Sequence, residues 1–319
     1  MMQTTQSVQF SNVEAASQRL APWIERTPVL RSTTFDQLCG RTLYFKCENF
    51  QKTGSFKFRG AMNALLQLSP EQQRAGVVTH SSGNHAQALA KAAQLLGITS
   101  YIVMPNNAPA VKKAAVQQYG GQITECEPNV EARVKVCNEL AKKTGAVLIP
   151  PFDHPHIIAG QGTATLELLQ EVPHLDAVVI PVGGGGLLSG GIIAAKAVSP
   201  KIQVFGAEPL NVNDAARSIA AGDRCANTTG ATSVADGLLV NIGEITFPII
   251  QQGVQQILTV SEEEILQNMR LIWERMKIIV EPSSAVGLAA VRAEAFQKLD
   301  NLAHVGVILC GGNVAVDYF

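Results

Sequence analysis

Residues 178–191 read VVIPVGGGGLLSGG, an apolar run of strand length followed by four consecutive glycines and an apolar helical segment. Gly183 to Gly186 allow the backbone to adopt positive φ, and they expose consecutive N–H groups just before a helix N-terminus. This arrangement predicts a cradle for a phosphate group. The spacing matches neither GxGxxG nor GxxxxGK[ST], so it predicts neither a dinucleotide nor a nucleoside triphosphate. A tight strand-to-helix connection without a ligand is the alternative explanation.

Strand–loop–helix units of this kind recur along the chain, because short apolar runs alternate with amphipathic segments. The alternation predicts an α/β fold with largely parallel sheets. It is most regular between Gly76 and Pro151, where the runs VVTH, TSYIVM, QITEC and AVLIP are separated by helical segments. We therefore predict a small domain of residues 76–151 inserted in a large domain of residues 1–75 and 152–319.

The composition predicts a folded chain with large buried surfaces. The 319 residues suffice for two domains, and 46% of them are hydrophobic while 16% are charged. A net charge of −1 gives no electrostatic reason to expect binding to nucleic acid or to an anionic membrane. No apolar run reaches the roughly 18 residues of a membrane span, and the N-terminus lacks the layout of a signal peptide. Six scattered cysteines without CxxC spacing favour a reducing compartment, so a cytoplasmic location is expected.

A second segment, TGSFKFRG at residues 53–60, places Lys57 near the start of a predicted helix. The helix N-terminus, the neighbouring Arg59 and the apolar Phe56 and Phe58 all disfavour the protonated amine. A lysine in such surroundings can become a nucleophile near neutral pH. A helix lysine that extends its amine into solvent is the ordinary alternative.

Seven motifs occur in the order and spacing of one family: KCENFQKTGSFKFRG, SSGNHAQA, IAGQGT, PVGGGG, GAEP, EPSSAVG and LCGGN. The chain resembles the fold-type II pyridoxal-phosphate enzymes, in particular the branch of serine/threonine dehydratases and serine racemases. The resemblance runs from about Val13 to Asn313. It implies a tryptophan synthase β-like α/β fold with two open twisted sheets flanked by helices. The large domain would bind pyridoxal 5′-phosphate, and the small domain would carry the substrate loop.

The resemblance also implies roles for individual residues. Lys57 would hold the cofactor covalently and act as the base on the substrate Cα, while Phe56 would pack against the cofactor and Gly237 would line the site. Backbone N–H groups would bind the phosphate at Gly183, Gly184, Gly185, Gly186 and Leu187. The substrate carboxylate would be bound by the loop of Ser81, Ser82, Gly83, Asn84 and His85. Asn84 would also hydrogen-bond the 3′ oxygen of the cofactor. The residues alone also allow Asn84 to be a helix N-cap. We expect His85 to have a mainly structural role.

Cys310, at the end of the last predicted strand, would meet the pyridine nitrogen of the cofactor. A neutral group there does not hold the nitrogen protonated as an aspartate would, which favours rapid loss of a β-hydroxyl over transamination. The sequence leaves the protonation state of this thiol open, because the unperturbed pKa of cysteine is about 8.5. A small buried cysteine without a chemical role is the alternative.

A cation site is a further implication of the resemblance. Glu208 and Asp214, with the backbone carbonyl of Val212, match residues that bind a divalent cation in this branch. Hard oxygen ligands of this kind suit Mg²⁺ or Ca²⁺. The cation would have a structural role, and two acidic residues on a solvated loop are the ordinary alternative.

For the activity we expect a serine/threonine dehydratase that converts a small amino acid, L-serine or L-threonine, to a 2-oxo acid and ammonia. Serine racemase is the alternative, and one site could carry both activities because both begin when Lys57 removes the Cα proton. Ser82 matches the second acid of serine racemases, whereas Phe152 and Cys310 favour dehydration. A β-hydroxyaspartate dehydratase is another alternative. The resemblance also implies a homodimer or homotetramer.

Overall fold

The computed structural model describes residues 8–108 and 110–319, which form an α/β fold. The helices of the described chain are Phe10–Leu20 (α1), Thr33–Cys39 (α2), Lys57–Leu65 (α3), Pro70–Ala75 (α4), Asn84–Leu96 (α5), Ala110–Gln118 (α6), Val130–Thr144 (α7), Pro155–Glu171 (α8), Gly186–Val198 (α9), Asp214–Ala221 (α10), Thr246–Gly253 (α11), Glu262–Met276 (α12), Pro282–Arg292 (α13) and Glu294–Gln297 (α14). Its strands are Val29–Leu30 (β1), Thr42–Cys47 (β2), Val77–His80 (β3), Ser100–Pro105 (β4), Gln122–Cys126 (β5), Val147–Leu148 (β6), Ala177–Pro181 (β7), Gln203–Pro209 (β8), Gln256–Val260 (β9) and His304–Leu309 (β10). None of the described helices has the length and hydropathy needed to cross a bilayer.

The larger sheet has six strands in the order β1-β2-β10-β7-β8-β9. Only the short β1–β2 pair is antiparallel, and the other neighbours run parallel. β10 lies between β2 and β7, so that Val307 pairs with Phe45 on one side and with Val179 on the other. Both β7 and β10 are buried along nearly their whole length, as expected for parallel strands that are covered by helices.

The smaller sheet has four parallel strands in the order β5-β4-β3-β6. All four strands lie within residues 77–148, inside the segment for which the sequence predicts an inserted small domain. One apolar cluster contains residues from both predicted domains, including Leu65, Ala88 and Ile157. The domain boundaries at residues 75/76 and 151/152 stay a prediction.

Two strand-to-helix connections carry many of the candidate functional residues. β3 ends at His80 and α5 begins at Asn84, while β7 ends at Pro181 and α9 begins at Gly186. In open α/β sheets, ligands bind beyond the carboxyl ends of the strands. The predicted α/β fold with two sheets is confirmed, and it brings the two predicted anion-binding loops to such strand ends.

The start of α1 differs from the sequence prediction. The pattern Ser11–Glu14 predicts a capping box, but the observed N-cap is Gln9, whose backbone N–H donates to Asn12 Oδ1 at 2.8 Å. Because the helix starts earlier, Phe10 is its first residue and packs against a buried apolar cluster. The sequence pattern Ser261–Glu264 also predicts a capping box, and this one is confirmed at the start of α12.

Candidate active site

A cavity of about 500 Å³ is lined by the loops that follow β3 and β7 and by the first residues of α3. Every residue predicted to bind cofactor or substrate lines it: Phe56, Lys57, Ser81, Ser82, Gly83, Asn84, His85, Gly183, Gly184, Gly185, Gly186, Leu187, Gly237 and Cys310. The fold therefore assembles these residues from segments that span most of the chain. Their individual roles stay predictions.

Lys57 is the first residue of α3, and its side chain lines the cavity. Its Nζ donates a hydrogen bond to the carbonyl oxygen of Pro151 at 2.7 Å. Burial lowers the pKa of Lys57 to about 8, although Cys310 and Glu281 favour the protonated form. The direction agrees with the sequence prediction, but Arg59 is not the cause, because its guanidinium binds two buried carboxylates instead. An amine with this pKa is about one tenth neutral at pH 7, far more than an ordinary lysine, and the neutral amine is the form that attacks an aldehyde.

The tetraglycine loop forms a cradle of free donors. Among the described residues, the backbone N–H groups of Gly183 to Leu187 have no hydrogen-bond acceptor, and the N-terminus of α9 adds a positive dipole end. Side chains are excluded here, because a Cβ on Gly184 would collide with the Phe152 ring and Gly185 has φ 88°. The unpartnered donors and the narrow turn fit the phosphate of pyridoxal 5′-phosphate.

The loop after β3 presents a second set of free donors. The N–H groups of Ser82, Asn84 and His85 have no partner in the part of the chain that the structure describes, which suits the predicted binding of a carboxylate. Gly83 is the N-cap and Asn84 the first helical residue, so the alternative of Asn84 as an N-cap is wrong. Burial lowers the pKa of His85 to about 3, and its Nε2 lies 3.1 Å from the Ile149 carbonyl, in agreement with a structural role.

Glu281 and Asn313 also line the cavity, and no role was predicted for them from the sequence. Asn84 donates from Nδ2 to Glu281 Oε1 at 2.8 Å and accepts at Oδ1 from Asn313 Nδ2 at 2.8 Å. Burial raises the pKa of Glu281 to about 8, and the negative charge of Asp236 adds to this effect. Glu281 lies in the family motif EPSSAVG and Asn313 in the motif LCGGN. Their positions in these motifs are the sequence signal that marks them as candidate site residues.

Cys310 follows β10 and lines the cavity. Its Sγ lies 3.4 Å from Ser284 Oγ, which also forms hydrogen bonds with the backbone of Gly311. Burial raises the pKa of the thiol, and the charge of Glu281 raises it further. Cys310 is therefore a neutral thiol, which settles the protonation state that the sequence left open.

The predicted cation ligands, Glu208, Val212 and Asp214, lie apart from the cavity around the start of α10. Glu208 accepts a hydrogen bond from the N–H of Ala216 at 2.7 Å, and Asp214 accepts one from the N–H of Ile242 at 2.7 Å. Burial raises the pKa of Glu208 to about 8, and the charge of Asp214 adds to this effect, so a cation would relieve an unfavourable burial of charge. No group of three or more His, Cys, Asp or Glu side chains able to hold a metal occurs among the described residues. The cation site stays a prediction.

Fold and site together define an enzyme in which a half-buried lysine and a loop of unpartnered backbone N–H groups meet beyond the ends of parallel strands. The profile of the family described as "Pyridoxal-phosphate dependent enzyme" matches residues 20–311. The chain belongs to this family and is a pyridoxal-phosphate-dependent enzyme.

Named relatives match almost the whole chain. A serine racemase from Dictyostelium discoideum is 48% identical over 98% of this chain and 97% of its own length. A serine racemase from Homo sapiens is 47% identical over 96% of this chain and 92% of its own length. The solved structure of a T.th. threonine deaminase is 43% identical, with a TM-score of 0.91 over 96% of this chain and 99% of its own. The resemblance inferred from the motifs and the fold-type II architecture are thereby confirmed.

Proposed function

We propose that this chain is a serine racemase. The observation that carries the proposal is that two groups able to exchange a proton with Cα line one cavity from separate elements. They are the amine of Lys57 on α3 and the hydroxyl of Ser82 in the loop after β3. Inversion at a carbon requires proton removal on one face and proton delivery on the other, so such a pair supports racemisation. The relatives named serine racemase support this alternative better than the dehydratase that the sequence analysis preferred.

The residues of the chain divide the work of this reaction. Pyridoxal phosphate, when bound, withdraws electrons from the amino-acid Cα and makes its proton easier to remove. Lys57 is the amine to which the cofactor would be joined; in its neutral form it accepts the Cα proton, and the Ser82 hydroxyl supplies a proton from the other face. The N–H groups of Gly183 to Leu187 would hold the phosphate, and those of Ser82, Asn84 and His85 would hold the carboxylate. Cys310, as a neutral thiol, would give the pyridine nitrogen no charged partner, which would limit the electron withdrawal.

β-Elimination by the same site is the second candidate, with L-serine, L-threonine or β-hydroxyaspartate as substrate. The neutral thiol of Cys310 favours it, as does Phe152, whose ring packs against the tetraglycine loop beside the cavity. The similarity to a threonine deaminase also supports it. Since both reactions begin with loss of the Cα proton, racemisation and elimination are compatible in one protein.

The decisive measurement follows two products from L-serine. Full-length protein is incubated with pyridoxal phosphate and L-serine, and D-serine and pyruvate are quantified from the same samples. We expect the initial rate of D-serine formation to exceed that of pyruvate formation. Faster pyruvate formation would contradict the racemase proposal and indicate a dehydratase. Parallel incubations with L-threonine and β-hydroxyaspartate would then identify its substrate.

A Ser82→Ala variant tests the second proton-transfer group. Removal of a general acid costs roughly a hundredfold or more, so we expect D-serine formation to fall by about that factor while pyruvate formation changes little. A Ser199→Ala variant, altered outside the cavity, is the matched control and should keep both rates. An equal loss of both products in Ser82→Ala would show that this serine has a different role.

We also propose that Glu208, Asp214 and the Val212 carbonyl bind Mg²⁺ or Ca²⁺. A cation that binds only the folded protein stabilises it by about 2.7 kcal/mol at a hundred times its dissociation constant. Addition of either cation to chelator-treated protein should therefore raise the midpoint of thermal unfolding. The rise should be absent in Glu208→Gln and retained in Glu263→Gln, a control with an exposed glutamate. No rise with either cation in the unaltered protein would contradict the site.

We further propose a homodimer or homotetramer in the cytoplasm, with a large cofactor-binding domain at residues 1–75 and 152–319 and a small domain at 76–151. Exposed apolar side chains, such as those of Phe50 and Ile279, support association with another copy. Light scattering on the purified protein measures the assembly directly. A mass of one chain at working concentrations would contradict it.

A further inference from the structure

Glu281 immediately precedes helix α13, where an acidic side chain commonly caps the first free N–H groups. It does not cap this helix: no side-chain capping hydrogen bond is present here among the described residues, and the carboxylate lines the cavity instead. The residue is only 3% exposed. Pro282 at the first helical position also removes one of the donors that a cap would serve. The buried carboxylate is therefore available for another task.

A chain of three hydrogen bonds begins at Glu281. Its Oε1 accepts from Asn84 Nδ2 at 2.8 Å, and Asn84 Oδ1 accepts from Asn313 Nδ2 at 2.8 Å. The same Asn313 nitrogen donates to the backbone carbonyl of Thr53 at 2.8 Å. The four residues come from four separate segments, namely the loop before α3, the start of α5, the start of α13 and the segment after β10.

The direction of this hydrogen-bond chain is fixed at the Thr53 end. A backbone carbonyl can only accept, so Asn313 must turn its nitrogen toward Thr53. The same nitrogen faces the oxygen of Asn84, which leaves the Asn84 nitrogen toward Glu281 Oε1. A flipped Asn84 amide would place nitrogen against nitrogen at Asn313. Thr53 has φ 61°, a conformation that is costly for a β-branched residue, and in this conformation its carbonyl receives the Asn313 bond.

Asn84 keeps one N–H for a ligand. Its oxygen and one N–H are occupied, whereas the second N–H has no partner in the described ranges 8–108 and 110–319. Asn84 and Lys57 line the same cavity. Because an amide group is planar, the two anchors that fix its oxygen and its first N–H also fix the direction of the second.

We propose that Glu281 and Asn313 are positioning residues that hold the Asn84 amide so that its second N–H donates to the 3′ oxygen of bound pyridoxal phosphate. This inference rests on the proposed roles of Lys57 and Asn84 in cofactor binding. It accounts for the burial of the Glu281 side chain at the cavity wall, because the acceptor at this position determines which end of the Asn84 amide faces the cofactor.

An electrostatic role of Glu281 is the competing explanation, because its charge also acts on Lys57 and Cys310 and is itself opposed by Asp236. The two explanations differ in what glutamine does at this position. Glutamine retains an acceptor oxygen of the same reach but carries no charge. Since Thr53 and Asn313 still orient Asn84, the glutamine oxygen should receive its nitrogen.

The test measures cofactor affinity in matched variants. Full-length protein depleted of cofactor is titrated with pyridoxal phosphate, and the visible absorption band of the bound cofactor is followed. We expect Glu281→Met to bind about tenfold more weakly, with a shifted band, and Glu281→Gln to bind within about twofold of the unaltered protein. An equal loss of cofactor affinity in both variants would overturn the proposal and support an electrostatic role of Glu281. Unaltered affinity in Glu281→Met would contradict both explanations.

A double-mutant cycle shows whether Glu281 acts through Asn84. In an Asn84→Ala background, Glu281→Met should weaken cofactor binding no further; a second tenfold loss would overturn the proposal. If Glu281→Met does not fold, Asn313→Leu is used instead, since leucine has a similar shape and no donor. It should show the same loss and the same dependence on Asn84, and unaltered affinity would count against the proposal. Formation of D-serine by the unaltered protein tests the proposed function separately, because these titrations require no turnover.

Discussion

Lys57 and Arg59 lie two residues apart in the first turn of α3, yet they meet opposite environments. Arg59 is fully buried and donates to both carboxylate oxygens of Glu48 and to both of Glu167, at 2.7 to 2.8 Å. The amine of Lys57 faces the cavity and donates to the carbonyl oxygen of Pro151. Burial alone would lower the pKa of Arg59, but the two carboxylates raise it above its usual value, whereas the pKa of Lys57 is lowered to about 8.

The comparison shows that burial alone does not decide what a basic side chain does. A buried cation with carboxylate partners stays charged and holds segments together. A buried amine without such a partner loses its proton more readily and becomes reactive. The charges in the network around Arg59 are balanced. Lys46 donates to Glu167 at 2.7 Å, so two cations face two carboxylates. One helix start therefore carries both a buried cation within an ion network and an amine whose pKa is lowered.

The largest effect should come from removal of the reactive amine. We expect Lys57→Ala to lower turnover of L-serine by at least about a thousandfold, because the attachment point and the base are lost together. The free energy of unfolding should stay the same or increase, since a half-buried amine whose pKa is lowered by burial is removed. Product assays and chemical denaturation measure the two quantities. Substantial activity in this variant would contradict the assignment of Lys57.

The second prediction concerns Arg59, where a substitution should lower the stability of the fold. Arg59→Met leaves two carboxylates buried with one fewer cation, and breaking a buried ion pair costs about 3–5 kcal/mol of stability. Lys52→Met is the matched control, because Lys52 pairs with Glu25 at 2.8 Å near the surface and exposed pairs contribute at most about 1 kcal/mol. Chemical denaturation of both variants gives the comparison. Equal stability of the two would show that the buried network is no anchor.

The third and smallest effect concerns pH. Only the neutral amine attacks the cofactor aldehyde, and the pKa of Lys57 is about 8. The rate of cofactor capture by depleted protein should therefore rise about tenfold per pH unit below pH 8 and level off above it. Stopped-flow absorbance measures the rate, and borohydride reduction with peptide mass analysis locates the adduct. A rate that continues to rise tenfold per unit beyond a pH of about 9 would indicate an ordinary exposed lysine.

Much of the fold follows from patterns that act over a few residues. The apolar runs predict β3, β5 and β7 to within one or two residues, because strand length and glycine-terminated helices are local properties. The run AVLIP gives only the two-residue strand β6, since its length depends on pairing with β3. Helix α1 begins at Phe10, before the predicted capping box, and Phe10 packs against a buried apolar cluster, a tertiary contact that no capping pattern contains.

The site is predictable where one short stretch carries the chemistry. Lys57 and the tetraglycine loop are recognisable in this way. Glu281 and Asn313 act on Asn84 from 197 and 229 residues away, so their function depends on tertiary contacts. Arg59 shows the same limit, because its sequence position lies beside Lys57 while its side chain belongs to a separate network.

The order of strands in the larger sheet has a consequence for biosynthesis. β10 lies between β2 and β7, so these two strands cannot be joined until residue 309 has left the ribosomal exit tunnel. The loop before Lys57 is held by residues translated later still, through the Ser55–Gly311 bridge and the Phe56 N–H bond to the Cys310 carbonyl at 3.0 Å. An unfinished nascent chain therefore lacks both the strand that joins β2 to β7 and the segment that holds the loop before Lys57.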